Sequence, residues 1–149
     1  MIVYDDPRKW AKRVLKDDGW LSDIPCVGTV PDDFTGDLIW LALDGGPQLH
    51  VRERVFLRVN VFSDTPDRAM SLARRVEAVL ADGVDGDPVV FCRRSTGPDL
   101  LVDGARFDVY SLFELICRPV ESEFCFDIVV CFLFDIVFGG YDGWNTYSV

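Results

Sequence analysis

Arg54-Val55-Phe56-Leu57-Arg58-Val59-Asn60-Val61-Phe62-Ser63-Asp64-Thr65-Pro66-Asp67-Arg68-Ala69-Met70-Ser71-Leu72-Ala73-Arg74-Arg75-Val76 is the stretch that decides the fold. Up to Phe62 the pattern has period two. Val55, Leu57, Val59 and Val61 alternate with Arg54, Phe56, Arg58, Asn60 and Phe62, as in a strand with one face on a core. At Thr65-Pro66 the period changes. Threonine is a good N-cap and proline fits the first helical position. Ala69, Leu72, Ala73, Val76, Val79 and Leu80 then recur at helical spacing, and Gly83 and Gly86 end the element. One face of this strand and one stripe of this helix are made to pack on each other, Val55/Leu57/Val59/Val61 under Leu72/Val76/Val79/Leu80.

Working outward, Asp6-Pro7 opens an N-terminal helix to about Lys16, with Trp10, Ala11, Val14 and Leu15 on one side and Gly19 beyond its end. Residues 20–37 hold Pro25, Gly28, Pro31 and Gly36 and read as an irregular connection with a short strand at Cys26–Val30. Leu38–Leu43 is a β-type run. Asp44-Gly45-Gly46-Pro47 is a turn, so this run and Val51–Phe62 form an antiparallel hairpin whose loop carries His50. After the second helix come a strand at Pro88–Arg93, a turn-rich loop at Ser95–Gly104 and a strand at Phe107–Arg118. The order predicts an α+β two-layer sandwich: about four mostly antiparallel strands covered by one amphipathic helix, with the N-terminal helix nearby. The Asp82–Asp87 turn and the Ser95–Gly104 loop are expected to be exposed, with at least one at a subunit contact.

Residues 1–118 read as the folded domain and 119–149 as an acidic, aromatic C-terminal extension. Phe124, Phe126, Phe132, Phe134 and Phe138, with Ile128, Val130 and Ile136, hold every second position of 124–138. Period two favours a β-type element. The run is too short for a helical membrane span and contains Asp127 and Asp135. Unpaired, such a strand is an aggregation hazard. We therefore expect it to pair across an interface by strand addition.

The net charge of -10 disfavours a nucleic-acid backbone binder, which normally carries a basic patch. Arg8, Lys9, Lys12, Arg13 and Lys16 fall at spacings that make a solvated helix face. The charge is uneven. No lysine or arginine follows Arg118, whereas Glu121, Glu123, Asp127, Asp135 and Asp142 do. The five cysteines, Cys26, Cys92, Cys117, Cys125 and Cys131, are irregularly spaced, mostly in apolar runs, with no signal-peptide pattern. Free, buried thiols and cytoplasmic folding are expected.

Residues for chemistry are few. His50 is the only histidine, and no nucleophile stands near it at a motif spacing. There is no CxxC pair or histidine cluster for zinc. Asp82-Gly83-Val84-Asp85-Gly86-Asp87 lacks the calcium-loop spacing and its closing glutamate. Gly45-Gly46 and Gly139-Gly140 match no phosphate-cradling motif. No catalytic residue, metal or cofactor is expected.

The stretch Arg54–Phe62, the cap Ser63-Asp64-Thr65-Pro66-Asp67-Arg68-Ala69 and the helix reading Ala69-Met70-Ser71-Leu72-Ala73-Arg74-Arg75-Val76 resemble the centre of the tail terminator proteins of long-tailed bacteriophages. Gly97-Pro98-Asp99-Leu100-Leu101-Val102-Asp103 and the closing strand Arg106–Arg118 are similar to that family's later loop and strand. The resemblance runs roughly from Pro7 to Arg118; nothing in it matches the segment that follows. It implies a structural α+β subunit that forms a six-fold ring with itself at the head-proximal end of the tail tube. Such a ring stops tube growth and docks the tail on the head-side connector. Its partners would be the tail tube protein and the connector, with DNA only passing through the lumen and no membrane. Its place would be the head–tail junction of the virion, after assembly in the host cytoplasm. Interface residues on this reading are Gly97, Pro98, Asp99 and Leu100, with Phe124, Phe126, Phe132, Phe134 and Phe138 of the extension. The alternatives are another head–tail joining protein, a head-closure or tail-completion factor, and an acidic immunity or binding module.

Overall fold

The computed structural model describes residues 2–47, 49 and 51–122. His50 and the phenylalanines of the 124–138 run lie outside them. Among the described residues two helices and seven strands follow in order as β1 (Ile2–Val3), α1 (Pro7–Asp17), β2 (Cys26–Val27), β3 (Leu38–Leu43), β4 (Glu53–Ser63), α2 (Pro66–Asp82), β5 (Val89–Asp103), β6 (Arg106–Cys117) and β7 (Glu121–Ser122).

The fold class is α+β, as the patterning implies, but the sheet has five strands rather than four. Its order is β2-β3-β4-β6-β5. The fifth is β2, the short strand expected at Cys26–Val30, here confined to Cys26–Val27 and paired parallel to β3 through Cys26↔Ile39 and Val27↔Trp40, making the sheet mixed. The second correction concerns Ser95–Gly104, which is not a loop. Residues 95–103 continue β5 along β6, from Thr96↔Leu112 to Asp103↔Arg106. A two-residue turn, Gly104-Ala105, closes this hairpin, with Gly104 at φ +61°. Glycine at the first central position supplies the positive φ that such tight turns need. A separate ribbon pairs β1 with β7, Ile2↔Ser122 and Val3↔Glu121. It ties the start of the chain to the residues just past β6.

Both helices pack on one face of the sheet. Asp6 caps α1 by accepting from the Arg8 amide at 2.9 Å, and Thr65 caps α2 by accepting from the Arg68 amide at 3.3 Å. Leu72, Val76 and Leu80 of α2 are buried against Val55, Leu57, Val59 and Val61 of β4, with Val79 partly buried beside them. The same apolar cluster takes in Trp10, Ala11 and Leu15 of α1, and Val109, Phe113 and Leu115 of β6. At 25 cal/mol per Å² of apolar surface removed from water, burial of this kind is the main term favouring the fold. The helices meet at Gly83. A side chain there would put its Cβ 2.2 Å from the Val14 Cγ1, so the close approach requires glycine.

Topologically, β4, α2 and β5 form a crossover between strands that point the same way, with β6 inserted between them antiparallel to both. This leaves β5 as a free edge and the second face of the sheet without a helix over it among the described residues.

Candidate assembly surface

The edge strand β5 is irregular for a reason legible residue by residue. Its register against β6 shifts between Val89 and Phe91, between Arg94 and Thr96, and between Thr96 and Asp99. The last shift holds Gly97-Pro98. Gly97 has φ +90°, and a Cβ there would lie 2.4 Å from the Tyr110 carbonyl oxygen, so only glycine fits. Pro98 has no N–H to offer a ladder, which suits a bulge or an edge. Beyond the bulge the strand is regular again, and its side chains are Asp99, Leu100, Leu101 and Val102.

Those three apolar residues are consecutive, so they point to both faces. Leu100 sits opposite Val109 on the helix side and is 43% exposed. Leu101 sits opposite Asp108 on the other side and is 50% exposed, and Val102, back on the helix side, is 70% exposed. Strands apolar on both sides are normally interior strands covered on both faces. Here the pattern stands at an edge that has no partner strand among the described residues. Of the expected interface residues, Asp99 and Leu100 are exposed here, while Gly97 and Pro98 are half-buried and shape the bulge. Leu101 and Val102 escaped the sequence reading of the site, although three successive apolar residues after a Gly-Pro were the available signal.

The helix-free face is built from Trp40 of β3, Arg54, Phe56, Arg58, Asn60 and Phe62 of β4, Tyr110, Leu112, Glu114 and Ile116 of β6, and Phe91 and Arg93 of β5. Its centre is tied by charge. The buried Glu114 carboxylate takes Arg54 at 3.0 Å and Arg93 at 2.6 Å, one acid between two guanidiniums. Asn60 donates to both carboxylate oxygens of Asp108 at 3.0 and 2.8 Å. Arg58 pairs with Asp44 at 2.6 Å. At the far end Arg106 stacks 4.2 Å from the Phe34 ring and donates to the Phe34 and Gly36 carbonyls, folding the 31–37 connection over that corner.

The basic face of α1 is solvated, as its spacing implies: Arg8 pairs with Asp6, Lys9 with Asp5, and Arg13 with Asp85. The Asp82–Asp87 turn is held by this last contact and by Arg13 donating to the Asp87 carbonyl at 3.0 Å. Asp82, Asp85 and Asp87 are exposed.

The described thiols are poor nucleophiles. Burial pushes Cys26 up to about 11, and Cys92 and Cys117 up to about 12, so all three are protonated near neutrality. Among the described residues no group of three or more His, Cys, Asp or Glu could hold a metal ion. No described helix is long and apolar enough to cross a membrane. No protein-family model matches the chain, and no curated protein matches it.

Proposed function

We propose that the chain is a non-catalytic assembly subunit of the tail-terminator kind, forming a ring with copies of itself at the head-proximal end of a phage tail tube. The observation that carries this reading is the Leu100-Leu101-Val102 run on the free edge β5, apolar on both faces and exposed on both. Such an edge is a template for adding a strand from another subunit. Repeated head to tail, edge contacts of this kind close into a ring when the rotation allows. The residues that carry the family resemblance fall on β4 and α2, the strand and helix at the centre of the fold. The net charge of -10 suits a lumen through which DNA passes without sticking, since like charges repel. In this role one rim of the ring meets the tail tube protein and the other the head-side connector.

Negative-stain electron microscopy of the purified chain tests the proposal. Rings with a central hole are expected, and tubes polymerised from the cognate tail tube protein should stop growing when the chain is added. A chain that stays monomeric at high concentration and leaves tube length unchanged refutes the reading.

A further inference from the structure

We propose that the helix-free face of the sheet is the docking surface for residues 123–149 of the same chain. The inference stands on the face and on the sequence of that segment, and does not depend on the ring.

A sheet with one solvated face normally alternates apolar-in with polar-out. Here the outward positions include Trp40, Phe56, Phe62, Tyr110, Leu112 and Ile116, all partly buried by their own neighbours yet outside the apolar cluster beneath the helices. A contiguous patch of this kind on one side of a chain marks a contact surface.

Glu114 serves two guanidiniums, so the corner formed by Arg54, Arg93 and Glu114 holds an excess of positive charge, with the Arg93 side chain 65% exposed. Residues 123–149 carry Glu123, Asp127, Asp135 and Asp142 and no lysine or arginine. The segment is thus both aromatic and purely acidic, while the surface is aromatic and locally basic.

The described chain leaves β6 at Cys117, which pairs with Glu53 and Val89, and ends at Ser122. This is the end of the sheet where Arg54, Ile116, Phe91 and Arg93 sit, and Ser122, five residues beyond Cys117, pairs with Ile2. Its 27 residues reach roughly 90 Å at about 3.3 Å per extended residue. The 12 residues of β6 span roughly 40 Å on the same scale, so the segment is long enough to run the length of the face. Attachment to the same chain also gives the segment a high effective concentration at this surface.

In the docked arrangement the even-numbered Phe124, Phe126, Phe132 and Phe134 lie on the aromatic face, and the acids of the segment add negative charge beside the arginines. The test places a photoreactive benzoylphenylalanine at Phe56 or at Tyr110 of the full chain, with a control at Arg74 on the solvent side of α2. Light and heavy isotope-labelled copies are mixed before irradiation. Crosslinked peptides should join positions 56 and 110 to residues 123–149, within single isotope labels, and Arg74 should give none. The charge-neutral variant Asp127→Asn/Asp135→Asn should lower the yield while circular dichroism stays unchanged. Mixed-isotope links mean that a second copy supplies the segment, and links to other regions or no links mean that the face is not its site. Each of these overturns the proposal. Should one probe position unfold the chain, the other carries the same test.

Discussion

Replacing Leu100, Leu101 and Val102 together by threonine removes the apolar edge while keeping residues that favour strands. The exposed fractions of these side chains, 43%, 50% and 70%, add up to rather more than one and a half fully exposed side chains. Complete burial of such a side chain is worth about 1.5–3 kcal/mol. If a neighbouring subunit covers them, the substitution costs roughly 2.5–5 kcal/mol per contact, or about two to three and a half orders of magnitude in dissociation constant at about 1.4 kcal/mol per tenfold. The isolated subunit should lose less, about 0.5 kcal/mol for each surface substitution of this type. Sedimentation velocity over a concentration series, paired with thermal unfolding, separates the two effects. Assembly lost with only a small drop in unfolding temperature is the expected result. An assembly constant equal to that of the unsubstituted chain refutes the claim that this edge is the contact.

Leu72→Ala, at a fully buried site under α2, should cost about 2–5 kcal/mol and lower the unfolding temperature by roughly 3–4 °C for each of them; an unchanged melt means the helix does not pack there. Gly97→Ala should destabilise by roughly 1–3 kcal/mol or more, because its backbone is at φ +90° with the Tyr110 carbonyl in the way. Gly104→Ala, with open space around it, should cost less, which urea titration of the two variants measures. Cys26, Cys92 and Cys117, pushed up by burial to about 11, 12 and 12, should resist iodoacetamide at pH 8 in the folded chain and react in urea; rapid labelling of the native protein contradicts that burial. The Arg75 guanidinium, 2.6 Å from Asp18, leads in holding the Asp18 carboxyl below its ordinary range, so this pairing stabilises the fold above about pH 4 and is lost as pH falls through the lowered value. Asp18→Asn should flatten that part of the acid unfolding curve and leave stability at pH 7 to 8 without a pH slope of its own.

How much of this was legible depended on whether a signal was local. Strand β4 and helix α2 are readable because the period changes from two to helical at Thr65-Pro66, a cap that needs no partner to be recognised. The far half of β5 was not. Gly97-Pro98 and the polar residues around it carry loop chemistry, and only the pairing partner β6 makes them a bulged strand. The Asp103-Gly104 pair did carry a hairpin signal, and taken with Leu100-Leu101-Val102 it outlines the turn. Strand β2 has two residues and a parallel partner, and direction of pairing is decided by tertiary contacts. The ribbon of β1 and β7 joins residues more than a hundred positions apart, which no periodicity reports. For the site, Leu100 was within reach of sequence reasoning. The helix-free face was only half visible: Phe56 and Phe62 interrupt the polar side of β4, but the partners that make them a patch come from β3, β5 and β6.

The ribbon between Ile2–Val3 and Glu121–Ser122 also sets an order in time. Contacts of large sequence separation bear the largest loop-closure cost and form late, and a chain under translation emerges from its N-terminus. Ile2–Val3 must therefore wait, unpaired, until nearly the whole body has been synthesised. By then β3, β4, β5 and β6 have all left the ribosome ahead of the aromatic segment. The phenylalanines from Phe124 onward thus leave the ribosome only after every strand of the sheet. Translation order itself limits the interval in which so apolar a sequence stands open to other nascent chains.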